Sequence, residues 1–556
     1  PQNDDGDVMK SKQQKSIFFF AIVLIVSASL KLGLQFADVI PFNADEAIVA
    51  LMARHILQGE LPVFFYGQVY MGSLDAFFVA GGFALFGQHV WVIRLVQTVL
   101  FAGVIMTTAW VANLVFGDWK HGWIAVCFLA IPTVNVTLYT TATLGGYNEA
   151  MLLGNLTLAL GMILVRRADR LPEKQLDTKT MLLAVLWGLI AGCGLWANGL
   201  SLVYSFPAGV VMLWAIFGRF RGKLGGWQKW GLVLAAAAGI AIGASPWLIY
   251  AIQTGPVSLM GELFGTAVAV EKTPWIVQTG EHLFNFVLLG LTALFGFRPP
   301  WGVRWLGLPM MPFILVFWGA VVYVWFWRWK PKNGERWKKW LLTGVGMSVV
   351  AGFVFTPFGV DPSGRYFLPL YMMLTIAAAE AVLHLLDNKM KWQTGVVAFV
   401  LVFHLWGTLQ CAFTYPPGIT TQFDAVAVVD HRYNDELIDF LKSEGEMRGY
   451  TNYWVAYPTA FLSAEEVIFI PALPYHQDMR FTTRDDRYEP YREMVANSER
   501  VAYITTNHPE LNEYLRDEFE AAGASWQEKV IGDYQVFYGL SRDIRPVEMG
   551  LGMDRK

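Results

Sequence analysis

About eleven separate apolar runs, each long enough to cross a bilayer, occupy the first 411 positions of this 556-residue chain. A span needs roughly 20 mostly apolar residues to cover about 30 Å of hydrocarbon. With no water there to satisfy backbone polar groups, each run has to be helical. The runs lie near 16–37, 90–117, 122–139, 148–165, 180–199, 200–217, 230–250, 309–327, 340–357, 366–384 and 393–411. They predict a polytopic α-helical membrane protein. Only 16% of residues are charged, against about 25% in ordinary soluble domains, which excludes a soluble enzyme, a disordered chain and a nucleic-acid binder. Cys127, Cys193 and Cys411 sit in or beside apolar runs and read as packing residues, too few for a disulfide framework or a metal cluster.

Charge divides the chain in two. Residues 412–556 hold 25 acidic and 14 basic residues, leaving 20 acidic and 28 basic for residues 1–411. Lys and Arg accumulate in short cytoplasmic loops. With residues 1–15 as a cytoplasmic N-terminus, the inner loops collect 21 of those 28 basic residues. The first run leads into a loop without a small-residue cleavage site and is expected to remain as a helix. The apolar stretch 283–297 is read as a helix of an outer loop, because a span there would throw Arg328 to Lys339 outside. The membrane domain is then 16–411, with a large first outer loop at 38–89 and another outer loop at 251–308. An odd number of spans makes 412–556 extracytoplasmic, in a plasma (inner) membrane. That segment reads as a small α/β domain, with helical runs at 433–444, 487–497 and 508–523 and strand-like runs at Glu466–Ile470, Val501–Thr505 and Tyr534–Leu540. The turn-rich Tyr415-Pro416-Pro417-Gly418 links it to the last span.

Ionisable residues inside spans usually mark substrate or ion paths, and here Glu380 and His384, one turn apart, read foremost as a satisfied pair near a cytoplasmic helix end. Polar interest concentrates instead in the first outer loop, which carries Asn43, Asp45, Glu46, Arg54, His55, Gly59-Glu60-Leu61-Pro62, Tyr66-Gly67-Gln68-Val69-Tyr70 and Ser73-Leu74-Asp75. A purely structural reading is available. Asn43 can cap a helix with Glu46 three residues on, Asp45 suits the positive end of the helix dipole, and Ser73 with Asp75 can start a second helix.

The ordered set Asp45-Glu46, Gly59-Glu60-Leu61-Pro62 and Tyr66-Gly67-Gln68-Val69-Tyr70 resembles the first outer loop of the GT-C glycosyltransferases, specifically the bacterial branch of the protein O-mannosyltransferase-like family (glycosyltransferase family 39). Arg365-Tyr366-Phe367-Leu368-Pro369 is similar to that family's Arg-Tyr-x-x-Pro element at the outer end of a late span. The resemblance implies a GT-C-like membrane domain and an inverting transfer of a monosaccharide from a polyprenyl-phosphate carrier to a hydroxyl at the outer membrane face. The partners implied are the donor lipid, a lipid, glycan or protein acceptor, and membrane lipids, with no nucleic acid. It further implies Asp45 as general base, with Glu46 beside it, because a hydroxyl nucleophile gains from a carboxylate within hydrogen-bond reach. A phosphate leaving group is already a weak base and needs cationic stabilisation. Arg365 is first choice by motif, with Tyr366 beside it, and Arg298 in Gly296-Phe297-Arg298-Pro299-Pro300-Trp301 second; snorkelling near head groups is the alternative for both arginines. Glu149 at the mouth of the fourth span, Asp75, Gln68, Tyr70 and Arg54 complete the substrate-binding candidates, although Arg54 falls opposite Asp45 on an ideal helix and can instead anchor it. Glu262, Glu271, Lys272 and Glu281-His282 lie in the loop that closes over substrate in related enzymes.

Departures matter too. The lipid A aminoarabinose transferases carry acidic and basic residues soon after the loop's aromatic Tyr, where this chain has Met71-Gly72-Ser73, which leaves their metal site and lipid A acceptor without support here. The Trp-Trp-Asp-Tyr-Gly signature of oligosaccharyltransferases is absent, as are Walker, His-Glu-x-x-His and dinucleotide fingerprints. No cofactor is required, and the sequence does not support a divalent metal. The alternative is a non-catalytic GT-C-like subunit that binds lipid or protein partners; a transporter ranks third, since internal inverted repeats are not apparent.

Overall fold

The structure, a computed structural model, describes residues 2–172, 175–220, 222–265, 274–387, 389–414, 418–422 and 424–554. Glu271, Lys272 and linker residues Tyr415 to Pro417 lie outside them. Among the described residues nine helices are long and apolar enough to cross a membrane, or ten when one bent pair is taken as a span. The membrane part runs α1 (Gln2–Phe36), α2 (Ala44–Leu57), α3 (Leu74–Phe86), α4 (Val90–Phe116), α5 (Trp119–Ala130), α6 (Val134–Tyr139), α7 (Tyr147–Arg170), α8 (Thr178–Ala197) and α9 (Leu202–Trp214). It continues with α10 (Gly226–Gly243), α11 (Ser245–Thr254), α12 (Pro256–Leu263), α13 (Trp275–Phe284), α14 (Leu291–Leu294), α15 (Met311–Tyr323), α16 (Arg336–Phe355), α17 (Leu368–Leu385) and α18 (Met390–Thr414).

Two of the eleven runs differ from straight spans. The run 122–139 breaks between α5 and α6, because Pro132 offers no backbone N–H and disfavours helix at Ile131, which sits at φ −130° and ψ 78°. The run 230–250 bends by 73° between α10 and α11. The stretch 275–294, which is helical in three short pieces, packs against the chain after the break at Pro132: Thr133 Oγ1 donates to the Leu294 carbonyl at 3.1 Å, and Asn285 donates to the Gly359 carbonyl at 2.9 Å.

Close packing of α8 on α10 rests on small residues in register. A Cβ added at Gly188 would meet the Ala236 carbonyl oxygen at 2.0 Å, and one at Gly239 the Val185 oxygen at 2.1 Å. Without a hydrophobic drive between helices in lipid, such backbone approach is what associates them.

The C-terminal part is a five-stranded sheet in the order β4-β3-β5-β7-β6, where β3 is Arg448–Thr451, β4 Ile468–Pro471, β5 Ala502–Thr506, β6 Gln527–Ile531 and β7 Tyr534–Tyr538. The first three pair in parallel, while β7 runs antiparallel to both neighbours. Helices α19 (Asn434–Glu444), α20 (Tyr453–Leu462), α21 (Glu489–Ala496) and α22 (Pro509–Ala521) accompany it. The expected helices and strands of this part are present; β3, α20 and β6 are additional. A further hairpin, β1 (Phe64–Phe65) with β2 (Gln68–Gly72), lies in the first outer loop.

The two parts meet on α2. Arg54 donates to Gln88 at 2.7 Å, to Glu465 at 3.2 Å and to the Phe461 carbonyl at 3.0 Å, and its guanidinium lies 4.6 Å from the Phe461 ring centre. His55 Nε2 lies 3.0 Å from Glu465, which also accepts from Tyr491 at 2.7 Å. The α/β domain therefore sits on the same side as the first outer loop. Arg54, a substrate or anchoring candidate by sequence, bridges the two parts.

Candidate active site

The start of α2 sorts the adjacent acids by helix geometry. Asn43 caps the helix, accepting from the Glu46 N–H at 3.0 Å. Successive side chains diverge by about 100°, so Asp45 and Glu46 point to different places. Glu46 is fully buried and accepts from Arg94 Nε and from a terminal Arg94 nitrogen, both at 3.0 Å. Burial raises its affinity for a proton and Arg94 opposes that. With both oxygens taken, Glu46 holds α2 to α4 instead of sharing the expected catalytic role.

Asp45 stays partly exposed and accepts from the Tyr453 hydroxyl, at the start of α20. Beyond it lies Arg487. Once the Gln68 amide is oriented by its neighbours, its oxygen accepts from the two terminal Arg487 nitrogens at 2.7 and 2.8 Å, and its nitrogen donates to the Tyr70 hydroxyl at 3.1 Å. Tyr70 is the pivot. Burial keeps its hydroxyl protonated, Arg365 and Arg487 both pull the other way, and Asp45 and Asp361 reinforce the burial. The four charges thus all act on one phenol. Asp485 completes the group, its carboxyl pushed up to about 7 by burial against the pull of Arg487.

Arg365 precedes α17. Its Nε lies 2.5 Å from an Asp361 oxygen, an ion pair without the angle of a hydrogen bond, while a terminal nitrogen donates to the Tyr366 hydroxyl at 3.3 Å. Tyr70, Tyr147 and Tyr366 also line a cavity of about 680 Å³ whose walls are almost wholly apolar, including Leu202, Val203 and Phe353. Phe206, Met260 and Phe264 on its lining are exposed, so it opens to the surface of the molecule.

The remaining candidates fall elsewhere. Arg298 is 2% exposed and spends its nitrogens on the carbonyls of Leu289, Pro299, Pro300, Gly302 and Pro362 at 2.6–3.2 Å. Expected as a phosphate ligand, it staples the helical stretch 275–294 to the chain around it. Asp75 accepts from Gln97 at 2.7 Å and from Thr143 and faces Glu149 carboxyl to carboxyl. Gln97 in turn accepts from Asn148 at 2.8 Å. Asp75 and Glu149 therefore belong to a buried polar seam, and burial raises Asp75 toward its neutral form. Lys31 closes that seam on Thr140 and Thr141 at 2.7–2.9 Å. Glu380 is bonded to His121 at 2.9 Å, a partner the sequence reading did not name, with His384 farther off at 3.7 Å. His282 Nδ1 meets the Val354 carbonyl at 3.1 Å, and Glu262 pairs with Arg484 at 3.7 Å.

Of the expected residues, the structure brings together Asp45, Gln68, Tyr70, Arg365 and Tyr366. Arg487, Asp485, Tyr147 and Asp361 were not singled out by sequence. The run Arg484-Asp485-Asp486-Arg487-Tyr488 is an ordinary charged stretch by pattern, and only tertiary contact distinguishes it. No group of three or more His, Cys, Asp or Glu side chains with metal-ligand spacing occurs among the described residues.

No protein-family profile matches the chain, and no curated protein matches it in sequence. Its fold is similar to solved structures. ArnT from Cupriavidus metallidurans bound to undecaprenyl phosphate superposes with a TM-score of 0.56 at 12% identity, over 96% of this chain and 99% of that one. The apo state of the same protein gives 0.54 at 13% identity, over 95% and 98%. The archaeal oligosaccharyltransferase AglB from Archaeoglobus fulgidus, in complex with an inhibitory peptide and a dolichol-phosphate, gives 0.53 at 12% identity, over 88% and 69%. The likeness is to the GT-C fold as such and does not single out the O-mannosyltransferase-like branch.

Proposed function

We propose that this membrane protein is a glycosyltransferase that takes a monosaccharide from a polyprenyl phosphate and passes it, with inversion, to a hydroxyl acceptor at the outer face of a plasma membrane. The observation that carries the reading is the continuity of the site. Tyr70, Tyr147 and Tyr366 line an apolar cavity, Arg365 adjoins Tyr366, and Tyr70 is linked to Asp45 through Gln68, Arg487 and Tyr453. An isoprenoid chain fits the cavity, since such walls favour apolar surface by roughly 25 cal/mol per Å² buried. A phosphate at its polar end meets the guanidinium of Arg365. The proteins of similar fold solved with undecaprenyl phosphate and with a dolichol-phosphate support a lipid of this class.

In this scheme Asp45 accepts the proton of the acceptor hydroxyl as its oxygen bonds to the anomeric carbon. The bond from that carbon to the phosphate oxygen breaks, and the electron pair leaves with the phosphate. General-base assistance of this kind contributes about 10²- to 10⁴-fold; cationic stabilisation of the departing phosphate acts only as charge develops. The scheme uses no metal or organic cofactor. Purified protein incubated with a panel of polyprenyl-phosphate sugars and a mixed hydroxyl acceptor fraction should release the carrier from at least one donor. Absence of release from all, with the protein folded and lipid-bound, favours a non-catalytic subunit.

A further inference from the structure

The first outer loop carries a set of residues whose contacts converge on one dipeptide of the α/β domain. Gly67 sits at φ +72°, and a Cβ there would come within 2.6 Å of Arg487 Cδ, so the glycine allows the arginine chain to pass. Gln68 accepts from both terminal nitrogens of that arginine and ties it to the Tyr70 hydroxyl. Tyr66 stacks on Tyr488 with ring centres 4.7 Å apart, and both phenols donate to Glu60 at 3.1 Å. From its own domain, Arg487 is held by its backbone N–H, which donates to Tyr457 at 2.6 Å. The motifs Gly59-Glu60-Leu61-Pro62 and Tyr66-Gly67-Gln68-Val69-Tyr70 thus form a seat for Arg487-Tyr488.

What the seat presents is a cation. Asp485 and Asp45 act on Arg487 through space while its Nε has no hydrogen-bond partner among the described residues. Guanidinium is planar, always charged and suited to binding two phosphate oxygens at once. Tyr70 and Tyr366 line one cavity, Arg365 lies against Tyr366, and Arg487 is tied to Tyr70 through Gln68, so an anion between these tyrosines faces two guanidiniums.

We infer that Arg487 is the second phosphate-binding residue of the site, supplied by the C-terminal domain and positioned by Gly67 and Gln68, so that the donor's phosphate is gripped between the two parts of the chain. The inference rests on the polyprenyl-phosphate reading above and extends it: the membrane domain alone holds half of the phosphate site.

The test measures binding to the full-length protein in detergent by native mass spectrometry, with undecaprenyl phosphate, undecaprenol and inorganic phosphate as separate probes. Wild type should prefer the phosphorylated lipid to the alcohol. Arg487→Gln should cut that preference roughly tenfold or more, the loss of a charge-assisted pair, with undecaprenol binding unchanged. Arg487→Lys keeps the charge and a donor to Gln68 but loses the fork, and should cut it severalfold; this variant decides the matter if Arg487→Gln does not fold. Tyr488→Phe, at the same seat without a change of charge, should leave the preference intact. A folded Arg487→Gln or Arg487→Lys protein with the wild-type preference overturns the inference. So does an Arg487-dependent affinity for inorganic phosphate with the lipid unaffected. A wild type that binds undecaprenyl phosphate no better than undecaprenol instead refutes the polyprenyl-phosphate reading, whatever the variants do.

Discussion

Tyr453, the first residue of α20, donates its hydroxyl to Oδ1 of Asp45, the second residue of α2. The proposed base is therefore oriented from the C-terminal domain, and that hydrogen bond fixes which oxygen remains for an acceptor. Tyr453→Phe leaves the buried ring in place and removes only the hydroxyl. Turnover should fall roughly 3- to 30-fold, less than loss of the base itself, with donor affinity unchanged. Single-turnover rates alongside lipid binding separate the two; an equal fall in both would assign Tyr453 to packing.

Glu46 and Arg94 form a buried bidentate pair. Removing one partner of such a pair strands the other and costs about 3–5 kcal/mol. Arg94→Met should lower the thermal midpoint sharply and reduce the yield of folded protein, while Glu46→Leu combined with Arg94→Met recovers much of the loss. Stability of the two singles and the double in one detergent checks this. A near-neutral Arg94→Met would mean that Glu46 finds another partner or carries a proton.

Arg298 is bonded to five backbone carbonyls around the helical stretch 275–294. Arg298→Lys cannot reproduce that fan of donors. It should destabilise the protein and make residues 285–302 sensitive to protease, with the remaining folded fraction binding donor normally. Weakened donor binding without a stability change would return Arg298 to the phosphate.

The membrane helices were legible because length and hydropathy alone require them, and the order of motifs in the first outer loop pointed to Asp45, Gln68 and Tyr70. What the pattern could not resolve was direction. Asp45 and Glu46 are neighbours in sequence with equal charge, and only the position of Arg94 on α4 decides which one turns inward. Arg298 and Arg365 both sit near outer helix ends, yet one is consumed by carbonyls and the other lies against Tyr366. Pro132 was visible in the run 122–139, but a hydropathy reading counts through it. Arg487 enters the site by domain docking, a contact between positions more than 400 apart that local pattern does not encode.

Docking of the α/β domain should weaken in acid. Glu465 is held down to about 2: its partial burial opposes this, but His55, Tyr491 and Arg54 outweigh it. A carboxyl lowered by folding contributes stability that is fully present above the ordinary value of about 4.5 and is lost as pH falls from there through about 2. Glu465→Gln should be less stable at neutral pH and should flatten the dependence over that window. Hydrogen exchange of α2 and α20 between pH 6 and 3 follows the docking; an unaltered acid profile in the variant would place the titration elsewhere.

The most direct test of the account is the rate of carrier release by Asp45→Asn in the donor assay that wild type supports. The substitution keeps size and hydrogen-bonding ability near a helix start, so folding should lose at most about 1 kcal/mol. It removes the group proposed to take the acceptor proton. The account predicts a protein with near-normal thermal stability and undecaprenyl-phosphate binding whose release rate falls about 10²- to 10⁴-fold. Release within twofold of wild type by the folded variant would contradict it.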